Sequence, residues 1–253
     1  MKFIIGKKIE MTQVWQGEKV IAVTKVQAGP CPVVQVKTAD SKDGYSAVQL
    51  GFSERKEKNV KKPQIGHLKK AGVTAKTGKT LRYLREFRDE IKDLKVGDKV
   101  DVSTFEVGDI IKVTGTSKGK GFQGGVRRHG WHGHNETHGT KDQVRTSGSI
   151  GAGGPQHVFK GLRMPGRMGN ARSTTGELKI VQIDKENNIL YISGALPGAR
   201  NGLVLVYGDG ELKIAQPTVE KAEEVKSEVK VEEAAAEPVA EVETKADQET
   251  ITK

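Results

Sequence analysis

The chain has 253 residues, 35 % of them hydrophobic, which is enough for one large domain or two small ones with a modest core. A formal net charge of +10 and a pI near 9.5 point to a polyanionic partner, either nucleic acid or an anionic surface. No apolar run approaches the roughly 20 residues of a spanning helix.

The opening MKFIIGKKIEMTQ lacks the apolar stretch of about 7–15 residues found in signal peptides. The single Cys31 rules out an intramolecular disulfide framework. Together these predict a cytoplasmic protein with no membrane association.

In chain order, Val20–Val26 is apolar and β-branched, Val33–Val36 follows the Gly29-Pro30-Cys31-Pro32 breaker, and Ala47–Phe52 alternates with Val48, Leu50 and Phe52 on one face. Ser53–Lys62 reads as a charged connector. Pro63–Ala71 reads as a short helix, with proline in its first turn and Gly72 just past its end, rimmed by Lys61, Lys62, Lys69 and Lys70. Strand signals return at Leu81–Phe87, Lys99–Val102 and Asp109–Val113. The triplet Val-Gly-Asp occurs at 96–98 and again at 107–109, and reads as a recurring tight turn.

Periodicity then stops. From Gly115 to Arg172 there are fifteen of the chain's 31 glycines, ten basic residues and two acidic ones, Glu136 and Asp142, with no apolar run that could define a core face. A segment that cannot bury itself must be held by something else, and its charge makes that a polyanion. Beyond Arg172 the strands resume: Leu178–Ile183 and Ile189–Ser193 flank an Asp184–Asn188 turn, and Leu203–Tyr207 closes the series. The expected fold class is mainly β, a small antiparallel barrel or sandwich with a short helical insertion near 63–71. The body comprises 1–114 and 173–216, and 115–172 is a long irregular extension from it. Residues 217–253 carry eleven acidic residues and five lysines, and read as a disordered acidic tail.

Three motifs inside the extension need weighing. Gly119-Lys120-Gly121-Phe122-Gln123-Gly124 satisfies G-x-G-x-x-G, but Gly125-Val126-Arg127-Arg128-His129-Gly130 is no amphipathic helix, so a dinucleotide site is rejected. His129, His132, His134 and His138 lie within ten positions, yet no cysteine is near and Glu136 and Asp142 are the only nearby carboxylates, so no metal site is expected. Stacking on bases, or bonding to phosphate and 2′-hydroxyl groups, fits the basic setting better. Phe122, Trp131 and Phe159 are spaced among arginines and glycines, as base-stacking side chains would be. No nucleophile, base and acid come together, so no catalytic residues, cofactor or small-molecule substrate are expected. The residues expected to touch RNA are Lys118, Lys120, Phe122, Arg127, Arg128, His129, Trp131, His132, His134, Lys141, Arg145, Lys160, Arg163, Arg167 and Arg172.

GKKIEMTQVW at Gly6–Trp15, VGDIIKVTGTSKGKGFQGGVRRHGW at Val107–Trp131 and SIGAGGPQHVFKGLRMPGRMGNAR at Ser149–Arg172 closely resemble the large-subunit ribosomal proteins of the universal L-three family, in its bacterial form. The resemblance runs to about Tyr207. It implies a translation-protein-type β-barrel on the outside of the large subunit, with an extension penetrating the large-subunit rRNA toward the peptidyl-transferase centre. It also implies a role early in subunit assembly, beside neighbouring large-subunit proteins. The extension tip falls at Gly151, Ala152, Gly153 and Gly154. Bacterial members often carry an N-methylated glutamine in the segment matching Ser149–Pro155. Here Ala152, Gly153 and Gly154 stand there and Gln156 is out of place, so that modification is not expected. The rival readings are a metal-dependent RNA-processing enzyme and a free RNA chaperone.

Overall fold

The computed structural model describes residues 1–41, 43–72, 78–89 and 94–213. Its strands are β1 (Lys2–Gln16), β2 (Lys19–Ala28), β3 (Cys31–Lys37), β4 (Ala47–Lys56), β5 (Lys79–Phe87), β6 (Lys99–Val100), β7 (Ile110–Thr116), β8 (Gly121–Gln123), β9 (Gly166–Met168), β10 (Arg172–Asp184), β11 (Ile189–Ser193) and β12 (Leu203–Gly208). Two short α-helices, α1 (Lys62–Lys70) and α2 (Gly125–His129), and two 3-10 turns at Glu57–Asn59 and Val102–Thr104 complete the regular structure of the described residues.

Six strands close an antiparallel barrel in the order β1-β12-β7-β10-β11-β2. The inward residues follow strand alternation: Val204 and Val206 on β12, Leu190 and Ile192 on β11, and Ile111 and Val113 on β7 are all fully buried. Burying each such side chain contributes about 1.5–3 kcal/mol. Strands β3, β4, β5 and the two-residue β6 form a second, four-stranded sheet in the order β5-β4-β3-β6. The expected strands at Val33–Val36, Ala47–Phe52 and Leu81–Phe87 therefore lie beside the barrel, and of Lys99–Val102 only Lys99–Val100 pairs there, since Val102 opens a 3-10 turn. Phe87 of β5 stacks on Phe3 of β1 with centroids 4.3 Å apart and meets Tyr207 of β12 edge-on at 5.3 Å. Such pairs add about 0.5–1.5 kcal/mol each beyond area burial and join the two sheets through one core.

This junction explains a strand that periodicity missed. Phe3, Ile4 and Ile5 are consecutive and all buried, because one face of β1 looks into the barrel while the other meets the second sheet. Alternation cannot mark a strand covered on both sides. Periodicity marks β10 only from Leu178 for a related reason. Its register slips between Thr175 and Leu178, where Glu177 takes a φ of 55°, so the half that pairs with β7 is out of phase with the half that pairs with β11.

Both Val-Gly-Asp triplets form the same turn. Asp98 Oδ2 accepts from the Lys95 N–H at 2.8 Å and Asp109 Oδ2 from the Glu106 N–H at 3.0 Å, with Gly97 and Gly108 at φ of 101° and 96°. Helix α1 begins one residue earlier than expected and ends at Lys70. The expected tail, 217–253, and the last residues expected for the body, 214–216, lie outside the described residues.

Candidate nucleic-acid interface

The extension is rooted on neighbouring barrel strands. β7 and β10 pair antiparallel up to Thr116 opposite Arg172, and the chain leaves and returns there. Past that pair a clasp forms: the Ser117 N–H donates to the Ala171 carbonyl at 2.9 Å, the Asn170 N–H to the Ser117 carbonyl at 3.1 Å, and the Ala171 N–H to Ser117 Oγ at 3.3 Å. The Lys120 N–H then reaches the Met168 carbonyl at 3.0 Å, and β8 pairs with β9 with Phe122 opposite Arg167. The two basic limbs are thus one ribbon at their base.

Above the ribbon the limbs are locked by three residues assigned to RNA from sequence. Helix α2 is a single turn ended by Gly130 at a φ of 71°, whose N–H donates to the Val126 carbonyl. The sequence predicts no amphipathic helix here, and the single turn that forms has Gly125 as its only buried residue and so no apolar face to pack. From its last turn an Arg128 Nη–H and the His129 Nε2–H both donate to the Met164 carbonyl, at 2.7 and 3.1 Å. The Trp131 ring folds back over Gly125, leaving no room for a Cβ, and lies 6.0 Å from the His129 ring. Arg128, His129 and Trp131 accordingly each make a contact within the extension, although Arg128 commits a single N–H and stays exposed. Sequence offered no signal for this, since these side chains are the same types that bind RNA.

The other assigned residues point outward. Lys118, Lys120, Arg127, His132, His134, Lys141, Arg145, Lys160, Arg163, Arg167 and Arg172 are exposed, as are the tip residues Gly151, Ala152, Gly153 and Gly154. Phe122 and Phe159 are 77 % and 64 % exposed. Ile150, Val158 and Leu162, which no periodicity singled out, are exposed on the same limbs. Among the described residues no ion pair involves any side chain from 115 to 172, and no three His, Cys, Asp or Glu side chains converge as metal ligands. Ten cations therefore stand without an ion-pair partner among the described residues, beside five exposed large apolar side chains, a surface suited to phosphates and base faces.

Two cations at the root escaped sequence reading. Lys8 and Arg200 line a groove with Lys118, Glu10 and Gly198. Lys8 donates to the Leu196 carbonyl at 2.8 Å, and burial, aided by the Lys118 charge, draws its ammonium pKa below the ordinary value. Arg200 is tied to Glu10 at 2.7 Å. Arg172 sits beside the Tyr207 hydroxyl, whose pKa burial raises and the guanidinium partly draws back.

The family model described as Ribosomal protein L3 matches residues 73–189. Similar relatives carry the name large ribosomal subunit protein uL3. That of Heliobacterium modesticaldum is 49 % identical over 207 residues, which is 81 % of this chain and 95 % of the relative. That of Herpetosiphon aurantiacus is also 49 % identical, over 80 % of this chain and 94 % of the relative. The Petrotoga mobilis protein is 48 % identical, over 81 % of this chain and 94 % of the relative. With the barrel, the rooted basic extension and these matches together, the chain belongs to the ribosomal protein L3 family, a family of structural proteins and not of enzymes.

Proposed function

We propose that this protein is a structural constituent of the large ribosomal subunit in the cytoplasm, and that it binds large-subunit rRNA through residues 115–172. The observation that carries this reading is the extension itself: ten cations with no ion pair among the described residues, beside exposed Phe122 and Phe159. Left in water, these charges repel one another and the aromatics are solvated; threaded between RNA helices, the cations offset phosphate repulsion and the aromatics fill gaps between bases. The barrel sits on the subunit surface beside other large-subunit proteins, and the tip at Gly151–Gly154 points toward the peptidyl-transferase centre. A protein that holds converging helices together acts early in assembly.

Sedimentation of a cell lysate tests the reading. The protein is expected to co-migrate with large subunits at near-equal stoichiometry, and a free or substoichiometric pool at the top of the gradient would instead indicate an RNA chaperone. No observation favours a metal-dependent enzyme, since His132, His134 and His138 do not converge with carboxylates among the described residues.

A further inference from the structure

We propose that Lys8 is an acyl-acceptor site: the groove at the root of the extension holds a small acyl phosphate by its phosphate group, and the Lys8 amine takes the acyl group without an enzyme. The proposal stands apart from the rRNA reading and concerns the chain before any partner covers the groove.

The groove has a volume of about 450 Å³, and Lys8, Lys118 and Arg200 line it together with Glu10 and Gly198. The fold fixes the Lys8 backbone there. Its N–H donates to the Gly202 carbonyl at 3.0 Å, its carbonyl accepts from the Asn201 N–H at 2.8 Å, and the register of β1 against β2 shifts immediately after it. The side chain is fixed as well, because Nζ donates to the carbonyl of Leu196, a buried residue, at 2.8 Å. One N–H is thus committed, and once the ammonium loses a proton its lone pair is left for a reactant in the groove.

Two features separate Lys8 from the other lysines. No carboxylate holds it as a cation, since Glu10, which lines the same groove, is taken by Arg200 at 2.7 Å and Lys25 at 3.6 Å. Burial, aided by the Lys118 charge, draws the Lys8 ammonium down, whereas Lys37, bonded to the Tyr45 hydroxyl and Glu86, and Lys79 and Lys213, bonded to Glu54 and Glu106, are pushed up. A lysine desolvated beside another cation is an activated amine. The groove also offers cations to an anion. Arg200 keeps N–H groups beyond those bonded to the Ile9 carbonyl and Glu10, and Lys118 is exposed. An acyl phosphate unites an anion for these cations with a carbonyl activated by its leaving group; an aldehyde or carbon dioxide lacks the anion.

In the step itself the ammonium first loses a proton to water, and the neutral Nζ attacks the acyl carbon. A C–N bond forms and the C–O bond to phosphate breaks, its electron pair leaving on the phosphate. The remaining excess proton on nitrogen passes through water to that phosphate, and nothing is oxidised or reduced. The product is a neutral amide that removes one charge from the root of the extension. It keeps one N–H, so the Leu196 carbonyl retains its donor.

The test treats the full chain with acetyl phosphate and follows each lysine by peptide mass spectrometry. Lys58 and Lys61, exposed and without an ion-pair partner among the described residues, serve as references. Lys8 is expected to react about tenfold faster than either, the effect of one pKa unit on the neutral fraction, and to reach its plateau at lower pH. Inorganic phosphate should slow Lys8 alone. Acetic anhydride carries no anion and so reads the amine without the phosphate contacts. A variant with Glu10→Gln and Arg200→Gln removes the guanidinium without freeing its carboxylate. It is expected to lose the preference for Lys8 with acetyl phosphate and keep it with the anhydride, while slow alkylation of the buried Cys31 shows that it is folded. Reaction of Lys8 at the rate of Lys58 and Lys61 overturns the proposal. A preference that neither phosphate nor the double variant disturbs overturns the assignment to acyl phosphates. Both results leave the rRNA reading to its own test by sedimentation.

Discussion

Gly125 has no side chain because the Trp131 ring occupies that space, and Trp131 is there because Arg128 and His129 tie α2 to the Met164 carbonyl. Gly125→Ala sets two effects against each other: alanine favours the helical turn by about 1 kcal/mol, while the forced displacement of an indole costs about 1–3 kcal/mol. Displacement wins, and the Trp131 emission, read in a Trp15→Phe background, is expected to shift to the red as the ring enters water. At the other end of β7, the Asp109 carboxylate takes the Lys2 ammonium at 2.9 Å. Burial pushes the Asp109 pKa up, but the Glu106 N–H and Lys2 outweigh it and hold the carboxyl below its ordinary value of 3.8. The folded state thus binds this proton less readily than the unfolded chain, so the pair stabilises above pH 3.8 and loses its contribution as pH falls through the lowered value. Asp109→Asn is expected to cost about 2 kcal/mol near neutrality, because Lys2 is left buried without its anion. The difference from wild type in urea melts should vanish in strong acid. None of these pairings could be read from sequence, since Lys2 and Asp109 are 107 positions apart.

At the scale of elements, what was legible was whatever had one wet and one dry face. β12 and β11 alternate and were read closely, and α1 was found from its proline and glycine boundaries. β1, covered on both sides, was not found. Nor was the β8–β9 ribbon, because three-residue strands without a core leave no periodic trace. Charge and glycine content change abruptly close to where β7 ends and β10 begins. Which side chains bond across the limbs was not legible, because that depends on contacts between residues some 35 positions apart. Since the β7–β10 ladder is complete at Thr116 and Arg172, replacing 118–170 with a short turn is expected to leave the barrel folded. Cys31 reports it directly: burial raises its thiol to about 12, so it should resist alkylation in the truncated protein as in the full chain. Rapid labelling of the truncated form would mean that the extension is needed for the core.

For the whole molecule, charge sets the behaviour. Engagement of about six to ten phosphates predicts that affinity for rRNA falls by roughly 10³–10⁵ between about 50 and 200 mM salt, and filter binding across that range would expose a flatter dependence. The clasp at Ser117, Asn170 and Ala171 and the ribbon above it also bear on how the chain folds. β7 and β10 are neighbours in the barrel but lie at the two ends of the excursion, so pairing them requires closing a long loop. If the ribbon forms first, the loop left to close is only a few residues on each side, and the entropic cost of registering β7 against β10 drops by about 2 kcal/mol. The base of the extension would then serve the barrel before it ever meets RNA, as a local seam that brings distant strands into register. Weakening it by substituting Gly169, which has no room for a Cβ beside the Lys118 carbonyl, is expected to slow barrel folding more than it speeds unfolding.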